Sequence, residues 1–174
     1  CWVLVAILFF SVAYAQEPSN LLRFPALNRD GSFIAFSYQG DIWTVPAEGG
    51  RAMRLTVHPA YESHPIFSPD GRQIAFSGER YGNEDLFLIP VEGGTVRRLT
   101  HHSAADTICS WTSSGDILFT TNRQFRRIER PPEIYSISSR GGTESRCMDT
   151  VGFDPALSPD GKFLAFVRGD ANPV

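Results

Sequence analysis

The chain of 174 residues has a formal net charge of −3, and 42% of its residues are hydrophobic. This slightly acidic balance argues against a nucleic-acid surface, which would need clustered positive charge. We therefore expect no nucleic-acid partner, and we expect a chain of this length to bury a hydrophobic core.

The first predicted element is an export signal over residues 1–15. Residues 2–12 form an uncharged apolar run, and Ala13 and Ala15 are small residues at the two positions that a signal peptidase reads. A membrane anchor or a buried strand is the alternative, although a spanning helix needs about 20 apolar residues. Because the chain begins with Cys1, we expect a fragment whose signal peptide is truncated at its start. We expect the mature chain to be exported to the periplasm or beyond, with no other membrane contact.

The rest of the chain is organised by a repeated motif. Its clearest copy is Ser-Pro-Asp-Gly-Arg-Gln-Ile-Ala-Phe-Ser at residues 68–77. Close copies occupy residues 28–37 and 158–167, and a shorter, degraded copy occupies residues 112–119. The glycines of the four turns follow one another at intervals of 40 to 46 residues. A period in this range is typical of a repeat architecture.

Each repeat predicts four short β-strands. In the second repeat, the Pro-Asp-Gly turn at residues 69–71 separates the first two strands, and the Glu-Gly-Gly turn at residues 92–94 separates the last two. Proline presets φ, aspartate bonds its own backbone and glycine accepts a positive φ, so these residues favour tight turns. Strands joined by tight turns are antiparallel neighbours. Four strands in about 40 to 45 residues match the spacing of a β-propeller blade.

We therefore predict an all-β fold, an incomplete β-propeller of four-stranded antiparallel blades. About three and a half blades lie in residues 16–174. The predicted blades are residues 21–57, 58–101, 102–150 and, as an incomplete unit, 151–174. A closed propeller has about four to eight blades, so we do not expect this chain to close a ring by itself.

An aromatic residue recurs once per repeat and predicts how the blades pack. We expect these residues to fill the space between neighbouring sheets, where each would contribute roughly 1.5–3 kcal/mol on burial. An aromatic row that binds a ligand is the alternative. The aromatic residues are Trp43, Phe87 and Tyr135. Each is preceded two residues earlier by an acidic residue, namely Asp41, Asp85 and Glu133.

The mature chain has two cysteines, Cys109 and Cys147. Cys147 takes the fourth-strand position that Leu55 and Leu99 occupy in earlier repeats, so we expect a small core residue there. The two cysteines are nearly one repeat apart, which places them on strands that should not be neighbours. We therefore predict two free, half-buried thiols, with a disulfide as the alternative.

All four histidines lie in the predicted links between blades. His58 and His102 are equivalent, and each is followed four residues later by an acidic residue, Glu62 or Asp106. Because the histidine and the acid recur together, we predict a hydrogen bond between them that holds the link. A metal site is the alternative, but we expect no metal and no cofactor. The histidines without an equivalent are candidate substrate-binding residues: His64 and His101.

The third repeat contains a long loop, residues 121–132, with four arginines. Guanidinium groups near a channel mouth can hold a carboxylate, such as a peptide terminus, through paired hydrogen bonds. A solvated charged loop is the alternative. Of the arginines Arg123, Arg126, Arg127 and Arg130, we take two as candidate substrate-binding residues: Arg126 and Arg127.

The sequence carries no primary catalytic motif. It has no Gly-x-Ser-x-Gly nucleophile elbow, no His-Glu-x-x-His zinc motif and no glycine-rich phosphate loop. Its serines, histidines and aspartates have no spacing that brings a nucleophile against a base. We predict no catalytic residue in this chain, and we expect it to be inactive by itself.

The repeated motifs resemble those of a known family. Asp-Gly-x-x-Ile-Ala-Phe, Gly-Asp-Ile-Trp, Pro-x-Glu-Gly-Gly and Arg-Leu-Thr are similar to the repeats of TolB-type propellers and of tricorn protease propellers. Residues 21–27, 56–63 and 102–106, the last shortly before Trp111, most resemble exported bacterial tricorn-like proteases. The resemblance covers most of residues 21–167 and is weakest in the third repeat, which lacks the Pro-Asp pair.

The resemblance implies a role for the chain within a larger protein. In that family, amino-terminal propellers act as a sieve and channel for peptides, and they precede a PDZ-like domain and a serine peptidase core. The implied partners are peptides or unfolded protein segments, downstream domains of the same chain, and further copies in an oligomer of the full protein. The alternatives are a non-enzymatic TolB-like module that binds a protein, and a propeller attached to another hydrolase.

Overall fold

A computed structural model describes residues 21–123, 132–158 and 160–168. The predicted signal peptide lies outside these residues. Within them, the regular structure consists of fourteen β-strands. The described part of the chain has no helix with the length and apolar character needed to cross a membrane.

The strands follow the chain in four successive groups, the blades. The first blade contains β1 (Arg23–Leu27), β2 (Phe33–Tyr38), β3 (Asp41–Pro46) and β4 (Met53–Arg54). The second contains β5 (Glu62–Phe67), β6 (Gln73–Gly78), β7 (Asp85–Pro90) and β8 (Arg97–Arg98). The third contains β9 (Asp106–Trp111), β10 (Asp116–Thr121), β11 (Glu133–Ser138) and β12 (Ser145–Val151). The fourth contains β13 (Phe153–Leu157) and β14 (Leu164–Val167).

Each blade is one antiparallel sheet. The first three sheets have four strands in chain order, and the fourth sheet pairs β13 with β14. Equivalent residues share the same register, since Ala35 lies opposite Thr44 in the first blade and Ala75 lies opposite Leu88 in the second. The predicted fold class, an incomplete β-propeller of four-stranded antiparallel blades, is confirmed. The blade limits taken from the sequence stay a prediction.

The Ser-Pro-Asp-Gly turns are held by their own polar atoms. In the second blade, the Gly71 amide donates to the Ser68 carbonyl at 2.9 Å, and Gly71 has a φ of +69°. The Asp70 carboxylate accepts hydrogen bonds from the Ser68 hydroxyl at 2.6 Å and from the Arg72 amide at 3.1 Å. These bonds lower the pKa of Asp70. The turn therefore closes without help from the rest of the fold.

Neighbouring blades pack an aromatic face onto a face of smaller side chains. Between the first two blades, Ala35 and Ile42 form one core with Phe76 and Phe87. The two phenylalanine rings stack with their centroids 5.6 Å apart, and both are buried. Burying one such side chain contributes roughly 1.5–3 kcal/mol.

The second interface repeats this arrangement with Phe119 and Tyr135, which pack against Ala75 and Leu88. The prediction that the recurring aromatic residues fill the space between blades is thus confirmed for Phe87 and Tyr135. Trp43 is half-buried because it pairs with Phe36 on the face of the first blade that points away from the second.

The first strands of the blades lie at the centre of the assembly. β1 contacts β5, β5 contacts β9, and β9 contacts β13. Among the described residues, each fourth strand contacts only the third strand of its own blade. The blades therefore radiate from a common axis that the first strands surround. Because the strands alternate in direction, the hairpin turns after first and third strands lie on one side, the turn face. The other loops and the links lie on the opposite side, the loop face.

The two cysteines are both free, but their burial differs from the prediction. Cys109 is half-buried, as predicted, whereas Cys147 is exposed. The prediction of a core position for Cys147 was wrong. The equivalent Leu99 is buried in the second blade, so the third blade does not cover this position as the second blade does.

Candidate functional site

The acidic residues that begin the third strands are buried at the loop face, and arginines of the fourth strands neutralise them. The pairs are Asp41 with Arg54, Asp85 with Arg98 at 2.7 Å, and Glu133 with Arg146 at 3.3 Å. Burial raises the pKa of Asp85, and its bond to Arg98 opposes that rise. Sequence reasoning found the recurring acids but missed their partners, although the Arg-Leu-Thr motif contained the signal.

A second set of ion pairs joins the first strands to the loops between second and third strands. Glu62 binds Arg80 at 2.5 Å, and Asp106 binds Arg123 at 2.6 Å. Arg123 also lies 3.3 Å from Glu144. Arg123 is therefore already neutralised inside its own blade. The other three arginines of the loop, including the candidate substrate-binding residues Arg126 and Arg127, lie outside the described residues.

The predicted hydrogen bonds between histidine and carboxylate do not form. Nδ1 of His58 accepts from the Ala60 amide at 3.0 Å, and Nδ1 of His102 accepts from the Ala104 amide at 3.0 Å. The acidic residues of the two links bind arginines instead. The prediction was wrong because the two repeated residues have separate structural roles. The histidine closes a local turn, whereas the acid neutralises a loop arginine.

Three of the first strands carry a bulge near their loop-face end. The bulges contain Phe24, His64 and Asp154, with φ values of 53°, 52° and 49°. Each residue precedes a proline, and the strand register shifts at each of them. A left-handed backbone is uncommon for residues other than glycine, and a bulge changes the direction of a side chain relative to the regular strand.

His64 joins the first strands of two blades. Its ring packs on Phe24 with a centroid distance of 3.7 Å, and Nδ1 lies 2.9 Å from the Ser63 hydroxyl. Burial lowers the pKa of His64, while the negative charges of Glu84 and Asp154 oppose this shift. The histidine is therefore neutral at neutral pH, beside an aromatic ring and within the field of two carboxylates.

We call Phe24, His64 and Asp154 the axial group, and Glu84 and Cys109 extend this group into the third blade. The Glu84 carboxylate accepts a hydrogen bond from the Thr107 hydroxyl at 2.7 Å. The Cys109 thiol lies 3.5 Å from the Thr107 carbonyl, and burial raises its pKa to about 11. A thiol with so high a pKa is a poor nucleophile at neutral pH, so Cys109 is unsuited to catalysis.

The other histidine candidate from the sequence, His101, is exposed on the link between the second and third blades. His101 is equivalent to Val57 of the preceding link. Its electrostatic interaction with Asp85 slightly lowers the pKa of that carboxyl group. The structure therefore places His64 and His101 in different surroundings. Within the described residues, no group of three or more His, Cys, Asp or Glu side chains is arranged to hold a metal ion.

Sequence reasoning also missed a groove of about 650 Å³ on the loop face of the first blade. One wall is the turn between β2 and β3, and the other is the link to the second blade. The residues that line it include Arg23, Tyr38, Gln39, Gly40, His58 and Tyr61. His58 recurs as His102 in the next link, but Tyr38 and Tyr61 have no aromatic equivalent in the second repeat, so the repeat pattern alone does not mark the groove.

Four-stranded sheets that radiate from a shared axis, with their first strands innermost, define the chain as part of a β-propeller. The family model for the tricorn protease N-terminal β-propeller domain matches residues 19–173. The chain belongs to this family.

Individual relatives cover different shares of the chain. Tricorn protease homolog 1 of Streptomyces coelicolor is 39% identical over 98 residues, which are 56% of this chain and 9% of that protein. The Tol-Pal system protein TolB of Francisella tularensis subsp. mediasiatica is 26% identical over 163 residues, which are 88% of this chain and 36% of that protein. The chain thus spans a minor part of both relatives.

Among solved structures, the crystal structure of the tricorn protease superposes with a TM-score of 0.69 at 19% identity. The match covers 81% of this chain and 14% of the tricorn protease chain. At this identity the likeness shows the shared propeller fold and nothing further about activity.

Proposed function

We propose that this chain is the peptide-handling propeller of a larger, exported serine peptidase of the tricorn type. In this proposal it admits and channels peptides or unfolded segments to a catalytic core elsewhere in the same protein. The observation that carries the proposal is membership of the tricorn N-terminal propeller family over residues 19–173. The chain itself is expected to have no peptidase activity.

The axial group offers a suitable surface for an extended peptide. Phe24 and His64 present an aromatic wall, and Glu84 and Asp154 add carboxylates near the same axis. A peptide carries both apolar side chains and an amino-terminal ammonium group, which these two kinds of surface suit. We propose that Arg126 and Arg127 hold the peptide carboxylate. We also propose that His101, on the loop face, contacts the bound peptide.

A second candidate function is that of a TolB-like module that binds a protein partner. It is favoured by the 26% identity to TolB, which extends over 88% of this chain. Under this alternative, the loop face would bind a folded protein, and short peptides would not compete for it.

Peptide binding tests the first proposal directly. We expect fluorescein-labelled unstructured peptides to bind the chain with an affinity that falls as salt rises, since charged contacts are screened. Arg126→Gln/Arg127→Gln should weaken binding of peptides with a free carboxyl terminus. Arg140→Gln, at an exposed arginine of the same blade on the turn face, is the matched control. Absence of peptide binding, together with capture of one folded protein, would favour the TolB-like alternative.

The context of the chain needs a separate experiment. Sequencing the gene on both sides of the codons for these 174 residues should reveal a PDZ-like domain and a serine peptidase core. A fusion of the native gene, from its own start codon to the codon for Asn20, to a reporter that is active only after export should be active, because the apolar run and Ala13-Tyr14-Ala15 resemble a signal peptide. A cytoplasmic reporter would contradict the proposed export.

A further inference from the structure

The groove on the first blade has rigid walls. Gln39 and Gly40 form the turn between β2 and β3 with φ values of 52° and 85°, the two positive values that a tight type I′ hairpin turn needs. The Tyr61 ring packs over Gly40, where an added Cβ would lie 3.7 Å from it. The Glu62 amide also donates to the Gly40 carbonyl at 2.9 Å. The groove is therefore formed before any ligand binds.

Three residues that carry hydrogen-bond donors line this groove. Because Nδ1 of His58 accepts from the Ala60 amide, the neutral ring carries its proton on Nε2, which is left as a donor. The Tyr38 hydroxyl accepts from the Gln39 side chain at 3.2 Å, so its own proton is available to another acceptor. The exposed guanidinium group of Arg23 adds a permanent positive charge.

The groove has no matching negative charge. Among the described residues that line it, none is acidic. The nearby Asp41 is buried, binds Arg54, and accepts a hydrogen bond from the His58 amide at 3.0 Å. Its charge is therefore already neutralised on the inner side of the link. The groove has a guanidinium group, an imidazole N–H and a phenol, but no acidic side chain among its described lining residues. This combination favours a carboxylate ligand.

The groove also has an apolar part, which Leu21, Pro59 and the Tyr61 ring form. A volume of 650 Å³ falls within the roughly 300–1,000 Å³ of small-ligand sites. We propose that this groove binds the carboxyl terminus of a peptide whose last side chain is apolar. The inference rests on the proposed peptide-handling function and names a second carboxylate site for it, on the first blade, in addition to the one assigned to Arg126 and Arg127.

The test compares a fluorescein-labelled pentapeptide that ends in leucine, as the free acid and as the amide. We expect the wild-type chain to bind the acid about tenfold more tightly than the amide, because charge-assisted hydrogen bonds are partly offset by solvent at an open site. Arg23→Gln should reduce this preference to about threefold or less, with the amide affinity unchanged. Tyr38→Phe and His58→Asn should each reduce it by a smaller factor, and asparagine keeps an acceptor for the Ala60 amide.

Matched controls separate this site from charge in general. Arg29→Gln removes an exposed arginine of the same blade from the turn face, and Tyr81→Phe removes a hydroxyl from an exposed tyrosine of the second blade. Both should keep the tenfold preference. As a measurement on the unaltered chain, the ring resonance of His58 should shift during titration with the acid and not with the amide.

The outcomes distinguish this inference from the proposed function. A preference for the acid that survives Arg23→Gln and disappears in Arg126→Gln/Arg127→Gln would overturn the groove as the carboxylate site and leave peptide handling intact. Equal affinity of the wild-type chain for acid and amide would also overturn the groove. If neither peptide binds, the proposed function fails together with the inference.

Discussion

At the scale of single residues, the loop face contains two kinds of carboxylate. Asp41, Glu62, Asp85 and Asp106 are buried, and an arginine lies within salt-bridge distance of each. Glu84 and Asp154 are more accessible, and within the described residues no arginine or lysine pairs with either. A buried charge needs a partner because desolvation is costly, whereas an accessible one is solvated and free to meet a ligand.

The reactivity of the two cysteines provides a first prediction. Burial raises the pKa of Cys109 from its ordinary value of 9.0 to about 11, so its thiolate is about 100-fold rarer at neutral pH. We expect iodoacetamide at pH 8 to modify exposed Cys147 first, as followed by peptide mass spectrometry. In denaturant the two rates should become similar. Equal rates in the folded chain would contradict this prediction.

The pH dependence of stability provides a second prediction. Burial lowers the pKa of His64 below its ordinary value of 6.5, so the unfolded chain takes up a proton on this residue first as the pH falls. The free energy of unfolding should therefore decrease as the pH is lowered from 6.5. Glu84 and Asp154 moderate the effect because they favour the charged ring.

Denaturant titrations at several pH values measure this slope. His64→Asn should flatten it, and asparagine tolerates the left-handed backbone at this position. Asp154→Asn should steepen it, because one opposing negative charge is lost. His101→Gln changes an exposed histidine and serves as the control. A slope that is the same in wild type and His64→Asn would show that His64 does not titrate differently on unfolding.

At the scale of elements, the strands of each blade form from neighbouring sequence. Ion pairs between separate strands and loops then stabilise the blade. The hairpin turns supply their own hydrogen bonds, so the antiparallel strands form from neighbouring sequence. Arg80 and Arg123 then bind acids on the first strands of their own blades, and they lie over aromatic rings of the blade interfaces at 5.2 to 5.8 Å. These arginines therefore connect the loop face to the core.

The ion pair of the second blade provides a third prediction. Glu62 is fully buried and Arg80 is largely so, and removing one partner of a buried pair costs about 3–5 kcal/mol. We expect Arg80→Met to lower the free energy of unfolding by this amount, with much of the loss recovered in Arg80→Met/Glu62→Gln. Lys162→Met removes an exposed pair at 3.8 Å and should change stability by about 0.5 kcal/mol or less. A similar effect of both single changes would contradict the prediction.

At the scale of the whole molecule, the blades have a direction. Each interface packs the aromatic face of one blade onto the smaller side chains of the blade before it. On the first blade, the aromatic face with Phe36 and Trp43 points away from the second, and Leu27 on this face is 60% exposed. On the fourth blade, Val167 is 54% exposed. The outer surface of the first blade therefore resembles the aromatic faces at the interfaces between blades. The outer surface of the fourth blade resembles the faces of smaller side chains that they pack against.

This complementarity provides a fourth prediction. We expect the 174-residue chain to associate head to tail, with the outer surface of one first blade on the outer surface of another chain's fourth blade. Such a heterologous contact leaves one copy of each surface free to bind a further chain. Leu27→Glu should reduce the association, as measured by sedimentation velocity across a concentration series. Val57→Glu, at a link residue that is 77% exposed, is the control and should leave it unchanged. A wild-type chain that is monomeric at every concentration would contradict the prediction.

The blade architecture could be predicted from local residue patterns. Turn residues act within a few positions, and the period of 40 to 46 residues repeats them, so the pattern indicates both the antiparallel strands and the aromatic interface positions. Phe87 and Tyr135 were found in this way because alternation along a strand decides which face a side chain takes.

Which polar groups meet depends on the three-dimensional arrangement of the strands. The recurring histidines and acids suggested a contact, yet strand register brings the acids to arginines on other strands and loops. His64 meets Phe24 because bulges on two separate strands face each other, and the groove of Arg23, Tyr38 and His58 joins a strand, a turn and a link. Such contacts depend on side-chain direction between segments far apart in the chain, and a periodic pattern does not encode that direction.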